Sequence, residues 1–149
     1  MKHENALALA PKRLATHVSF AGKWRNELKS TMTLRLKGKV VTGKFRSYVS
    51  SEKKPVSGSI SGYVNGYTIA FVVTWPMPSI TAWVGQMVLK RKKEVIETLW
   101  QLTSEVENPG DPTELWNSVN SGADTFVRDT RPQRKASRRY SVDREGIDS

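Results

Sequence analysis

The chain has 149 residues, 38% of them hydrophobic and 26% charged, with a net charge of +10. That length suits one domain, and the apolar share is enough for a packed core. There is no cysteine, and the two histidines fall at positions 3 and 17, which excludes disulfides, thiolate metal sites and thiol nucleophiles and leaves no source for a histidine triad or multi-histidine metal site.

Residues 1–19 read as a flexible extension. Their one apolar run, Ala6 to Ala10, is too short for a secretory signal, follows Glu4, and ends at Pro11-Lys12-Arg13. No stretch approaches the roughly 20 apolar residues of a membrane helix, so no membrane association is expected. From residue 20 the pattern becomes short strands and short turns. Phe20 to Leu28 is the first strand. Thr31 to Leu36 alternates, turns through Lys37-Gly38-Lys39 and returns as Val40 to Val49. Val56 to Val64 leads into Asn65-Gly66, a dipeptide suited to a type I′ turn, and Tyr67 to Trp75 is β-branched and aromatic.

Ile80 to Leu89 and Glu94 to Val106 are two further strands. The turn between them, Lys90-Arg91-Lys92-Lys93, resembles a nuclear-targeting run but reads as a solvated hairpin turn. Pro112 to Gly122 is the one helical piece, started by Pro112 and stopped by Gly122, and Asp124 to Arg128 is the last strand. Residues 129–149 are basic and almost free of apolar side chains, so they read as a disordered tail. One domain over 20–128 therefore holds eight strands in a meander. An all-β, antiparallel, up-and-down barrel closes such a meander without exposed edges and can hold one small ligand inside.

Five groups of residues on these strands resemble the avidin/streptavidin family. Gly22-Lys-Trp24-Arg-Asn26-Glu-Leu28-Lys-Ser30 is similar to the family's opening Gly-x-Trp-x-Asn-x-Leu-x-Ser. Thr42-Gly43-Lys44-Phe45-Arg46-Ser47 resembles Thr-Gly-x-Tyr-x-Ser/Thr. Trp75 with Ser79-Ile-Thr81-Ala-Trp83-Val-Gly85-Gln86, Trp100-Gln-Leu102, and Trp116 with Gly122-Ala-Asp124-Thr-Phe126 complete the series in family order. The tails lie outside the resemblance.

The resemblance implies a non-catalytic barrel that binds biotin, with no other cofactor, no metal and no nucleic-acid partner. Asn26 and Ser30 would donate to the ureido oxygen, and Ser47 and Asp124 would accept from its N–H groups. Thr81 would face the thioether. Ser79 and the backbone around Ser51 would reach the valerate carboxylate. Trp75, Trp83, Trp100 and Leu102 would wall the bicyclic ring, and Trp116 would lid a neighbouring subunit's pocket in a homo-oligomer, a tetramer rather than a dimer. Such paired demand on the ureido group strengthens each bond. Family members are mostly secreted.

Strand parity is consistent with this reading. Ser79, Thr81 and Trp83 share one face, as do Trp100 and Leu102, Phe45 and Ser47, and Asp124 and Phe126. A plain core would place aliphatic residues there. The net charge also raises a nucleic-acid or anionic-surface module, but a nucleic-acid barrel would interleave aromatics with basic residues on an outer face, whereas here the basic residues crowd turns and tails, which argues against that reading. Two departures stand out. Phe45 replaces the usual tyrosine and removes a hydroxyl donor, which favours a second reading, a barrel for another small apolar carboxylate. Pro76-Met77-Pro78 is shorter than streptavidin's connection, so Ser79 need not reach a carboxylate.

Overall fold

Alternation of apolar and polar side chains puts one face of each strand into a shared interior. The computed structural model, which describes residues 1–9, 19–48 and 54–131, contains eight strands. They are β1 (Gly22–Arg25), β2 (Thr31–Lys37), β3 (Val40–Ser47), β4 (Val56–Asn65), β5 (Thr68–Thr74), β6 (Ser79–Lys90), β7 (Lys93–Ser104) and β8 (Val119–Arg128). Each pairs antiparallel with the next, and β8 pairs back onto β1. The result is the expected eight-stranded up-and-down barrel.

The closing seam is short, with only Trp24 opposite Arg128 and Arg25 opposite Val127. Side chains reinforce it. The Arg128 guanidinium lies 4.0 Å from the centroid of the buried Trp24 ring. It donates to the Ser19 carbonyl at 2.7 Å, to the Ala21 carbonyl, and to Glu94 at 2.8 and 3.0 Å. The Trp24 indole N–H donates to the Phe20 carbonyl at 2.9 Å.

The interior divides along the barrel axis. The hairpins β2–β3, β4–β5 and β6–β7 and the outer ends of β1 and β8 gather at one end. Phe20, Leu34, Val41, Ile69, Phe71, Met87, Ile96 and Phe126 belong to the packed core and fill much of the interior. The connections β1–β2, β3–β4, β5–β6 and β7–β8 gather at the other end, which is left open. Inward-facing glycines make room for the large rings. An added Cβ at Gly62 would lie 2.1 Å from the Ala70 carbonyl oxygen, and one at Gly122 would lie 2.6 Å from Trp100 Cζ2.

Several boundaries differ from the sequence expectation. The first strand stops at Arg25 rather than Leu28, because the Asn26 side-chain carbonyl accepts from the N–H groups of Leu28 and Ser30 and turns the chain, with Lys29 at φ 64°. The helical piece, α2 (Pro112–Asn117), ends five residues before Gly122, and β8 begins at Val119 rather than Asp124. There the ladder to β7, from Thr103 opposite Val119 to Trp100 opposite Gly122, overrides local preference. A short helix, α1 (His3–Ala8), occurs where none was expected.

The Asn65-Gly66 turn also shifts. Asn65 pairs with Thr68, so Gly66 and Tyr67 are central, and only Gly66 has positive φ, at 58°. That is the II′ pattern, not I′. Both central residues are positive instead at Arg91 (50°) and Lys92 (64°), where neither is glycine or asparagine. A left-handed conformation costs such residues roughly 1–2 kcal/mol each. Val49, His17 and residues 132–149 lie outside the described residues.

Gly62→Ala is expected to destabilise the barrel by about 1–3 kcal/mol, because the new methyl meets backbone that cannot move aside. Thermal unfolding should show a melting temperature lowered by several degrees. Gly110→Ala, whose nearest obstacle is the Asn108 side chain at 3.4 Å, should leave it unchanged.

Candidate functional site

At the open end the strands leave an interior cavity of about 180 Å³. Ten residues singled out in the sequence line it: Asn26, Ser30, Phe45, Ser47, Trp75, Thr81, Trp83, Trp100, Leu102 and Asp124. They come from four strands, β3, β6, β7 and β8, and two connections, β1–β2 and β5–β6, and the barrel register brings them together. Leu28, which sequence reasoning left out of the site, also lines the cavity. Of the three other predicted residues, two stand elsewhere. Ser79 sits in a neighbouring groove of about 660 Å³, donating to the Thr103 carbonyl at 3.3 Å and accepting from the Ser104 hydroxyl at 3.0 Å. Trp116 lies on α2 and is 69% exposed. Ser51 lies outside the described residues.

The aromatic walls are held by ring contacts. Trp83 is stacked between Phe45 and Phe71, with centroids 4.9 and 5.0 Å away. Phe45 also meets Trp75 edge-on at 5.7 Å and Phe126 edge-on at 6.2 Å. Phe45 is thus the hub of the wall, and its ring edge has no hydroxyl to offer a ligand. Such offset and edge contacts add about 0.5–1.5 kcal/mol per pair beyond area burial.

Thr81, Ser30 and Asn26 are each oriented by hydrogen bonds and keep donors to spare. The Trp75 indole donates to Thr81 Oγ1 at 2.9 Å, leaving the Thr81 hydroxyl proton available. Ser30 Oγ accepts from the Tyr48 N–H at 3.2 Å, leaving its own proton to donate. Asn26 spends its carbonyl on the β1–β2 turn, and its amide faces Asp124 with a second N–H in reserve.

Asp124 is the acceptor in this set. The Trp83 indole donates to its Oδ2 at 2.9 Å, and the Thr98 hydroxyl donates to its backbone carbonyl at 2.9 Å. No Lys or Arg lines the cavity. Burial therefore pushes the Asp124 carboxyl above the usual range, opposed by the bonds from Trp83 and Asn26 and assisted by Glu27. Sequence reasoning also missed Thr98 and Phe71. Thr98 lies two residues before Trp100 on β7, so strand parity offered a signal for it. Phe71 is identified only by the register that sets it opposite Trp83.

The cavity has one carboxyl acceptor, several donors and flat apolar walls. It fits a compact polar ring rather than a whole drug-sized molecule, which typically needs about 300–1,000 Å³. The adjoining groove shares Trp75 with it and offers room beyond the mouth.

The model of the Avidin family matches residues 14–129. Avidin of Gallus gallus is 32% identical over 136 residues, covering 83% of this chain and 87% of that protein. Among solved structures, a biotin binding protein from chicken is 27% identical with a TM-score of 0.61, covering 73% of this chain and 96% of that one. A rhizavidin–biotin complex is 25% identical, also with a TM-score of 0.61, covering 72% of this chain and 97% of its own.

The raised pKa of Asp124 carries a stability consequence. A carboxyl that holds its proton more tightly when folded is least costly when protonated, and its cost grows as pH rises from the unfolded-chain value through the folded one. Asp124→Asn, having no charge to bury, should therefore melt above the parent at neutral pH. The gap should close as the buffer is acidified, as followed by circular dichroism melts across that range.

Proposed function

The chain belongs to the avidin family, and on that premise we propose that it is a non-catalytic biotin binder that sequesters the vitamin or biotinylated proteins. The observation that carries the reading is the pairing of opposite demands in one small cavity. Asn26, Ser30 and Thr81 have protons to give, whereas Asp124 and Ser47 can receive. Biotin's ureido group presents one carbonyl acceptor and two N–H donors on a flat bicycle. In this reading Asn26 and Ser30 meet the carbonyl, and Ser47 and Asp124 meet the N–H groups. Thr81 lies by the thioether, with Trp75, Trp83, Trp100 and Leu102 against the ring. The valerate leaves past Trp75 towards Ser79 and the segment around Ser51.

Phe45 leaves the ureido oxygen one donor short, which keeps another small apolar carboxylate as the competing ligand. Titration with biotin, followed by tryptophan fluorescence and calorimetry, should saturate at one ligand per chain. Silence at micromolar biotin would refute the proposal in favour of the competing ligand. Phe45→Tyr should tighten binding about 10- to 100-fold by restoring a charge-assisted bond. Asp124→Ala should weaken it markedly, and the parent's affinity should fall as pH drops through the raised Asp124 pKa, because the protonated carboxyl loses its accepting role.

The same proposal includes a homo-oligomer. The outward face of β3 to β7 forms a shallow groove of about 820 Å³ with no charged residue in its lining, in a chain whose side chains are 26% charged. Tyr63, Val84 and Leu99 stand there at least 60% exposed. Contiguous apolar surface of this kind suits a second copy. In a tetramer, Trp116 would reach a neighbour's pocket. Light scattering should give a mass above one chain, and Val84→Lys with Leu99→Lys should lower it. A monomeric parent with intact biotin binding would refute this assembly.

A further inference from the structure

The net positive charge is not spread evenly over the barrel. The three hairpin turns at the closed end, residues 37–40, 65–68 and 90–93, hold six basic residues and no acidic one. The described residues of the four connections at the open end, 26–30, 48, 54–55, 75–78 and 105–118, hold five acidic and two basic. The barrel is therefore an electric dipole, positive at the end opposite the pocket mouth. We propose that this closed end is a docking surface for anionic phospholipid, which would hold the pocket mouth away from the membrane.

Three further observations support the assignment. First, Arg91 and Lys92 occupy left-handed backbone conformations, where Asn-Gly would be least strained. Four consecutive cations are thus kept at a turn whose geometry disfavours two of them, and such strain marks functional positions. Second, a groove of about 500 Å³ beside this turn takes Arg25, Lys93 and Arg128 into its lining. Glu94 pairs with Arg128 and Glu97 with Lys90, whereas the buried Arg25 Nε has no hydrogen-bond partner among the described residues. A guanidinium whose Nε lacks a partner, in a groove of this size, suits a phosphate headgroup.

Third, the basic turns are flanked by exposed Leu89, Tyr67 and Val40, side chains that settle at a membrane interface. A nucleic-acid strand is a poorer fit. The cations crown two separate hairpin tips, Glu94 interrupts the groove, and no aromatic residue lines that groove.

The proposal does not involve biotin, so it stands or falls separately from the reading above. The test is co-sedimentation of the full chain with phosphatidylcholine vesicles, with and without phosphatidylserine. Binding is expected only with phosphatidylserine, and weakening with added salt. Arg91→Asn with Lys92→Gly relieves the strained turn, so it should melt no lower than the parent. With two cations gone, its vesicle affinity should fall about 10- to 30-fold. Lys29→Asn, a cation removed at the opposite end, should change nothing. Equal binding by the turn variant and the parent overturns the proposal. So does loss of binding only when Arg134, Lys135, Arg138 and Arg139 are changed to serine, which would place the contact in the C-terminal segment. Retention on duplex DNA without any on vesicles overturns it as well.

Discussion

Everything inside this protein depends on the seam where β8 meets β1. Seven of the eight strand pairs join neighbours in sequence, but this one joins residues about a hundred positions apart through only two register pairs. Such a closure carries a large entropy cost for few backbone bonds. Arg128 offsets it by concentrating several interactions on one side chain: the face of Trp24, two backbone carbonyls of the chain entering the barrel, and Glu94 on the next strand. If the seam opened, Asp124 would lose its place opposite Asn26, and β1 and β8 would become exposed edges.

The closed barrel then hosts a conflict. The cavity holds a carboxyl in a half-dry place, where burial works against its charged form. Indole and amide donors hold Asp124 where a cation would have been the stronger stabiliser. In the proposed biotin site, a lysine or arginine there would occupy the acceptor that the ligand needs. The wall follows the same logic. Trp75 and Trp83 each direct their N–H at a polar side chain of the site, so the aromatic surface and the hydrogen-bonding groups orient one another. Inward glycines are the corollary, since Trp100 lies against β8 only because Gly122 has no Cβ.

The outer surface divides into three environments. One is an uncharged flank on β3 to β7, another a basic crown on the closed end, and the third an acidic rim around the mouth. Each lies on a different part of the cylinder, so a partner copy, an anionic surface and a ligand need not compete for the same place.

Much of this was legible in the sequence because a strand's period of two is a local property. The parity of Ser79-Thr81-Trp83 or Trp100-Leu102 can be read along the chain, and the turn residues separate one strand from the next. Eight strands and their order follow from that, whereas the cavity wall was named through the resemblance to the avidin/streptavidin family, with which parity is only consistent. What the sequence did not decide was anything set by pairing across strands. The early start of β8, the shift of the Asn65-Gly66 turn and the withdrawal of Ser79 into its own hydrogen bonds are consequences of ladder register. So are the stacking of Phe71 on Trp83 and the support Thr98 gives Asp124. The Ser79 bond to Thr103 spans 24 positions and the Thr98 bond to Asp124 spans 26. Local pattern fixes which face a side chain takes, but its partners are fixed only when the sheet closes and the register selects one alignment of all eight strands.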